Sequence, residues 1–273
     1  MRAGRPDRGV AEVCRHLAYV GPPGTLAALL LDPPHGLLHQ AYAPADMRGG
    51  GTVNADGFGA GWYPPGVAGP PARYRSDRPI WSDPAFAALA AVTSGTAVLA
   101  AVRSATTGMP VTATAAAPFA EGRWLFSHNG VVRGWPEAVA GLAAELPVTD
   151  LLTLDAPTDS ALLWALVRNR LRAGDDPAHA LAAVVRAVDA AAPGSRLNLL
   201  LTDGAAIWAT TWTHALSIHA AAGAVTVASE PPDGAAGWME VPDRHLVVAT
   251  PQRCDVRPLP ATASTDAAGA SAA

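Results

Sequence analysis

The chain has 273 residues, half of them apolar, enough to bury the core of one large domain or two small ones. Its net charge of -4 excludes a general electrostatic pull toward nucleic acid or an anionic membrane surface. All 19 basic residues are arginine, which rules out a lysine base or Schiff base, and two cysteines are too few for a disulfide framework, so a reducing cytoplasm is expected.

Residues 1–13 are arginine-rich, like the start of a secretory signal. No apolar stretch of about seven residues follows before Cys14, which argues against both a signal peptide and a lipoprotein cysteine. No run of about 18 apolar residues predicts a membrane span. Cys14 stands at the mouth of a short apolar run. Arg15 to Val20 reads as a strand that stops at Gly21-Pro22-Pro23, and Thr25 to Leu31 as a short helix closed by Pro33-Pro34. Residues 44–56 read as a loop holding Gly49-Gly50-Gly51. From Asn54 to Tyr63 the alternating glycines mark a strand with close backbone approach. A phosphate-binding loop is disfavoured because no helix follows.

Val98 to Val102 reads as a buried strand that delivers Arg103-Ser104-Ala105-Thr106 at its end. Trp124 to Ser127 is a second such strand, delivering His128-Asn129-Gly130, where the Asn-Gly pair taken alone predicts a hairpin turn. Helical pattern dominates residues 135–192. Thr158 is a good N-cap, with Asp159 in the first turn where the helix dipole favours a carboxylate, and a second helix covers Ala178 to Ala192. Strands return at Leu197 to Thr202, Ala206 to Thr211, Leu216 to Ala220, Val225 to Ala228 and Leu246 to Thr250. Short turns between the first four predict an antiparallel meander. Strands, then helices, then strands, without βαβ alternation, predict an α+β fold with antiparallel sheet. Residues 260–273 are small and polar and are expected to be a disordered tail.

Five stretches in this order resemble the class II glutamine amidotransferases, members of the N-terminal nucleophile (Ntn) hydrolases. They are Cys14-Arg15-His16-Leu17-Ala18-Tyr19, Asn54-Ala55-Asp56-Gly57-Phe58-Gly59, Val102-Arg103-Ser104-Ala105-Thr106, Ser127-His128-Asn129-Gly130 and Thr158-Asp159-Ser160. Within the family the chain looks most like the amidohydrolases of ergothioneine biosynthesis, which remove the γ-glutamyl group from γ-glutamyl-hercynylcysteine sulfoxide. The resemblance implies a four-layer αββα sandwich of two antiparallel sheets over residues 14–259, with residues 1–13 as a propeptide or a start-site error. It implies Cys14 as the nucleophile and first working residue, its freed α-amino group as the proton shuttle. Asn129 and Gly130 would form the oxyanion hole, Arg103 assisted by Thr106 would clamp the substrate α-carboxylate, and Asp159 would hold the α-ammonium. No cofactor, no metal and no obligate protein partner are implied, only a small-molecule γ-glutamyl substrate.

Two departures stand against ordinary glutamine hydrolysis. Glutamine-using members often carry a His two residues before the arginine, where this chain has Ala101. They also often carry Asn-Ala-His-Pro downstream, where it has Ala115-Ala116-Ala117-Pro118. Both suit a leaving group bulkier than ammonia. His16 and His128 flank the site, with a structural hydrogen-bonding role at least as well supported as a catalytic one. The alternatives are a glutaminase feeding a separate synthase, and an inactive binding protein of the same fold.

Overall fold

The computed structural model describes residues 14–47, 53–221 and 223–259. The expected extension 1–13, the run Gly49-Gly50-Gly51 and the expected tail 260–273 lie outside the described residues. The chain opens with strand β1 (Arg15–Thr25), helices α1 (Leu26–Leu30) and α2 (Leu37–Gln40), strands β2 (Phe58–Tyr63) and β3 (Ala72–Ser76), helix α3 (Pro84–Val92) and strand β4 (Ser94–Val102). Strands β5 (Phe119–Glu121) and β6 (Trp124–Val131) precede helices α4 (Ala140–Ala144), α5 (Val148–Leu152), α6 (Asp159–Arg172) and α7 (Pro177–Ala191). The chain then forms β7 (Arg196–Thr202), β8 (Ile207–Thr210), β9 (Ser217–Ala221), β10 (Ala224–Ala228), β11 (Met239–Glu240), β12 (His245–Thr250) and β13 (Arg253–Pro258).

The strands make two antiparallel sheets. One runs in the order β11-β9-β10-β1-β4-β2-β3, the other β13-β12-β8-β7-β6-β5. Side chains alternate between the two faces of a strand, and this parity divides the core into three parts. Leu17, Val98 and Ala100 face Leu26, Leu30 and Phe86 of α1 and α3. Phe126, Leu199 and Leu201 face Trp164, Leu181 and Val185 of α6 and α7. Their neighbours Ala18, Leu99, Leu125 and Leu200 meet between the sheets. The result is the αββα sandwich. Gly61 belongs to this interface, since a Cβ there would lie 2.7 Å from the Leu125 side chain.

Three local expectations change. Strand β1 continues through Gly21-Pro22-Pro23, where the pairing with β4 shifts register between Val20 and Gly24. A bulge leaves positions unpaired, so a proline without an N–H can sit there. The Asn-Gly pair is not a turn, because Asn129 and Gly130 lie inside β6, opposite Asn198 and Leu197 of β7. The four strands after α7 are not one meander. Strands β7 and β8 pair in one sheet, β9 and β10 in the other. Asn198 fixes the crossing segment by accepting from Trp212 N at 2.7 Å and donating to the His214 carbonyl at 2.9 Å.

Candidate active site

Cys14 precedes β1, and the register Arg15↔Val102 places it across from Arg103, the residue that follows β4. The two line one small cavity together with Ala101, Ala115, Phe119, His128 and Ser160. The Cys14 thiol donates to the Ser104 carbonyl at 3.8 Å. Burial pushes this thiol above its ordinary value. The Arg103 guanidinium pulls it down and the Asp159 carboxylate pushes it further up. A resting thiol of this kind is neutral and needs a base to become the reactive thiolate.

Arg103 is held by its neighbours rather than by an acid. Its backbone N–H donates to Gly57 O at 2.8 Å, and its Nη1 donates to Pro110 O at 2.9 Å. Asp56 supports the same segment. Its backbone N–H donates to Arg103 O at 2.9 Å, and its carboxylate accepts from Ala105 N at 2.8 Å. The Asn54-Ala55-Asp56-Gly57 stretch therefore clamps the turn that carries both the guanidinium and the Ser104 carbonyl. Thr106 lies farther along this turn, half-buried, with its carbonyl accepting from Met109 N at 2.8 Å.

Asn129 sits in the second sheet and points between the sheets, because it shares parity with Leu125 and Ser127. Its Nδ2 donates to Ser229 Oγ at 3.2 Å, and Ser229 Oγ also accepts from His16 N at 3.0 Å. One proton of Nδ2 remains free to donate elsewhere. The Oδ1 of Asn129 is buried without a partner among the described residues. Gly130 has φ +156°, and a Cβ there would collide with the Arg196 carbonyl, so only glycine fits this position in β6.

Asp159 begins α6, but the capping is done by Thr158, whose hydroxyl accepts from Ala161 N at 3.2 Å. The Asp159 carboxylate accepts from Val132 N at 3.0 Å and Ser160 N at 2.7 Å, tying α6 to the end of β6. It lies close enough to Cys14 and His128 to shift both. Both ring nitrogens of His128 are engaged, Nδ1 with Ser160 Oγ at 3.0 Å and Nε2 with Arg196 O at 2.9 Å. His16 is fully buried between the sheets, with Nδ1 at 3.2 Å from Ser127 Oγ. Burial, with His128, His214 and Arg15 nearby, lowers its value to about 3, so the ring is neutral at working pH.

Behind Cys14, Arg15 Nη1 donates to Cys14 O at 3.1 Å and Arg15 Nε to Glu230 Oε1 at 2.6 Å, while Nη2 donates to Asp46 O. Glu230 also meets His35 Nε2 at 2.6 Å and accepts from Ala45 N and Asp46 N. The sequence reading singled out neither Ser229 nor Glu230. The available signal was the one used at Arg103, a buried strand ending in polar residues: Val227-Ala228-Ser229-Glu230. Among the described residues no group of three His, Cys, Asp or Glu side chains is placed to hold a metal, and no helix is long and apolar enough to cross a membrane.

Comparison with known proteins follows the same outline. The model of the glutamine amidotransferases class II matches residues 26–227. The gamma-glutamyl-hercynylcysteine sulfoxide hydrolase of Mycolicibacterium smegmatis is 45% identical over 249 residues, covering 90% of this chain and 100% of that one. A glutamine aminotransferase class II domain protein from Silicibacter pomeroyi superposes with TM-score 0.65 at 24% identity, over 90% of this chain and 100% of that one. The glutamine phosphoribosylpyrophosphate amidotransferase of B. subtilis gives TM-score 0.66 at 13% identity, over 90% of this chain and 49% of its own.

Proposed function

The chain belongs to the class II glutamine amidotransferases, an amide-hydrolysing family, and from that premise we propose that it removes the γ-glutamyl group from γ-glutamyl-hercynylcysteine sulfoxide. The observation that carries this reading is the likeness, over the relative's whole length, to a hydrolase named for that substrate. The site geometry is consistent with it. Ala101, Ala115 and Ala117, the positions that depart from glutamine-using members, all line the cavity of Cys14 and Arg103.

The free α-amino group of Cys14 takes the thiol proton, the resulting thiolate attacks the γ-carbonyl carbon, and the carbonyl electrons move onto oxygen. Asn129 Nδ2 and the Gly130 N–H receive that oxyanion. Collapse expels the amine, which takes its proton from the α-ammonium of Cys14, and leaves a thioester. Water, deprotonated by the same amine, releases glutamate. The α-amino group of a first residue has a pKa of about 8, suited to passing a proton in both directions. Arg103 grips the substrate α-carboxylate with a planar fork, Thr106 assists, and Asp159 receives the α-ammonium. Together they select a free glutamate end. The enzyme acts on a small molecule without needing a synthase partner, in a reducing cytoplasm where Cys14 and Cys254 stay free thiols.

The amine exists only when Cys14 is the first residue. With Val13 attached its nitrogen is an amide and accepts no proton. Glutamate release is measured from the sulfoxide and from free glutamine, with protein beginning at Cys14 and with protein proven by mass spectrometry to retain residues 1–13. The expected result is rapid release from the sulfoxide, slow release from glutamine, and an inactive longer form. Faster release from glutamine overturns the substrate, and full activity of the longer form would falsify the amine base.

A further inference from the structure

Ser229 makes polar contacts that the reaction steps above leave without a role. The ladder of β1 with β10 ends at Leu17 opposite Ala228, so Ser229 is the next residue, opposite His16. In a hydrogen-bonded antiparallel pair each residue ordinarily gives its N–H to the other's carbonyl. Half of that exchange is kept, Ser229 N donating to His16 O at 2.9 Å. The other half goes to a side chain, because His16 N donates to Ser229 Oγ at 3.0 Å.

A plain ladder would hold β1 without a hydroxyl at position 229. The hydroxyl in place of the carbonyl puts a second lone pair toward the other sheet, and that lone pair accepts from Asn129 Nδ2 at 3.2 Å. Both side chains are buried, so water does not compete for the bond.

This bond decides which end of the Asn129 amide faces the reaction. With both lone pairs of Ser229 Oγ in use, Nδ2 stays on the Ser229 side and its second proton is available to the oxyanion. A flipped amide would bring Oδ1 to the same place, and an acceptor beside a developing negative charge opposes it. The same hydroxyl is tied to the backbone two residues beyond Cys14. The strand of the nucleophile and the oxyanion donor stand on different sheets, and Ser229 holds them to one point.

Building on the amide hydrolysis proposed above, we infer that Ser229 is a positioning residue for that reaction, holding the Asn129 amide with its donor end toward the oxyanion and in register with the strand that carries Cys14. Glutamate release by protein beginning at Cys14 is compared for the wild type, Ser229→Ala, Asn129→Ala and the double variant. Ser229→Ala is expected to lower kcat about tenfold with little change in KM, part of the loss of about a hundredfold expected when the donor itself is removed. In the Asn129→Ala background the same substitution is expected to change kcat by less than about twofold, since no amide is left to orient. Alkylation of Cys14 by iodoacetamide, followed in the N-terminal peptide by mass spectrometry, develops no oxyanion and is expected to keep its wild-type rate in Ser229→Ala. Unchanged kcat in Ser229→Ala, losses that multiply in the double variant, or alkylation that falls in parallel with kcat each overturn the role, the last by showing that Ser229 only secures β1. Full activity in Asn129→Ala removes the oxyanion donor and overturns the role with it. Should Ser229→Ala fail to fold, Ser229→Cys keeps the side-chain shape with a thiol that accepts weakly, and the same readings apply to it. Assay on both the sulfoxide and free glutamine separates this inference from the proposed substrate. A protein that leaves the sulfoxide intact but shows the expected pattern on glutamine loses the substrate and keeps the positioning role. One that cleaves the sulfoxide with multiplying losses loses the positioning role alone.

Discussion

Arg15 and Glu230 form an ion pair, Nε to Oε1 at 2.6 Å, with the two side chains only 2% and 4% exposed. They join the start of β1 to the end of β10 across 215 positions of sequence. Because Arg15 also holds the Cys14 carbonyl, the pair fixes the backbone from which the thiol projects. Despite burial, which opposes its charge, Glu230 has its carboxyl held below the ordinary range by His35, Arg15 and the Ala45 N–H. Glu230→Ala removes the carboxylate partner of a buried guanidinium and is expected to cost about 3–5 kcal/mol of stability. Urea unfolding measures it. A loss below about 1 kcal/mol would mean that water reaches Arg15 and replaces the carboxylate.

Arg103→Lys is expected to lose most of the activity although the charge is kept. Lysine is a point charge and cannot form the paired hydrogen bonds of a planar fork. It also cannot keep the Nη1 bond to Pro110 O while reaching substrate. Near-normal kcat/KM in this variant removes Arg103 from the carboxylate role.

Asn129→Ala is expected to lower kcat by about a hundredfold with little change in KM, since an oxyanion donor acts mainly in the transition state. The variant also strips Ser229 Oγ of one donor, but that hydroxyl keeps its bond from His16 N. The fold should therefore survive, which circular dichroism checks. Full specific activity per folded molecule would leave Asn129 a packing residue between the sheets.

Buried His16 makes stability depend on pH in a defined direction. Its folded value is about 3 against an unfolded 6.5, so between these the unfolded chain binds a proton that the folded chain refuses. The stabilisation is complete above pH 6.5 and is lost as pH falls toward 3, at about 1.4 kcal/mol per unit. Denaturation of the protein and of His16→Asn, compared from pH 7 to pH 5, should show the wild-type curve falling more steeply. Parallel curves would show that the imidazole titrates normally when folded.

The sequence by itself determined what is local or periodic. The near-continuous apolar runs at Val98 to Val102 and Leu197 to Thr202 are strands buried on both faces, one toward the helices and one toward the other sheet. Thr158 caps α6 because its hydroxyl reaches a backbone N–H three residues on. The order of the five short stretches carries the resemblance to the class II glutamine amidotransferases, the family whose model matches residues 26–227. Only the tertiary structure decided what depends on partners distant in sequence. The Asn129-Gly130 dipeptide carries a turn preference, and β7 overrides it by supplying a ladder. The proline run after Val20 reads as a stop, and a bulge against β4 absorbs it. The strands β7 to β10 look like one meander, and the crossing held by Asn198 splits them between sheets. Ser229 and Glu230 bear no motif. Their place beside Asn129 and Arg15 arises because burial between two sheets brings the ends of β1, β6 and β10 to one point, where each polar group must find a partner.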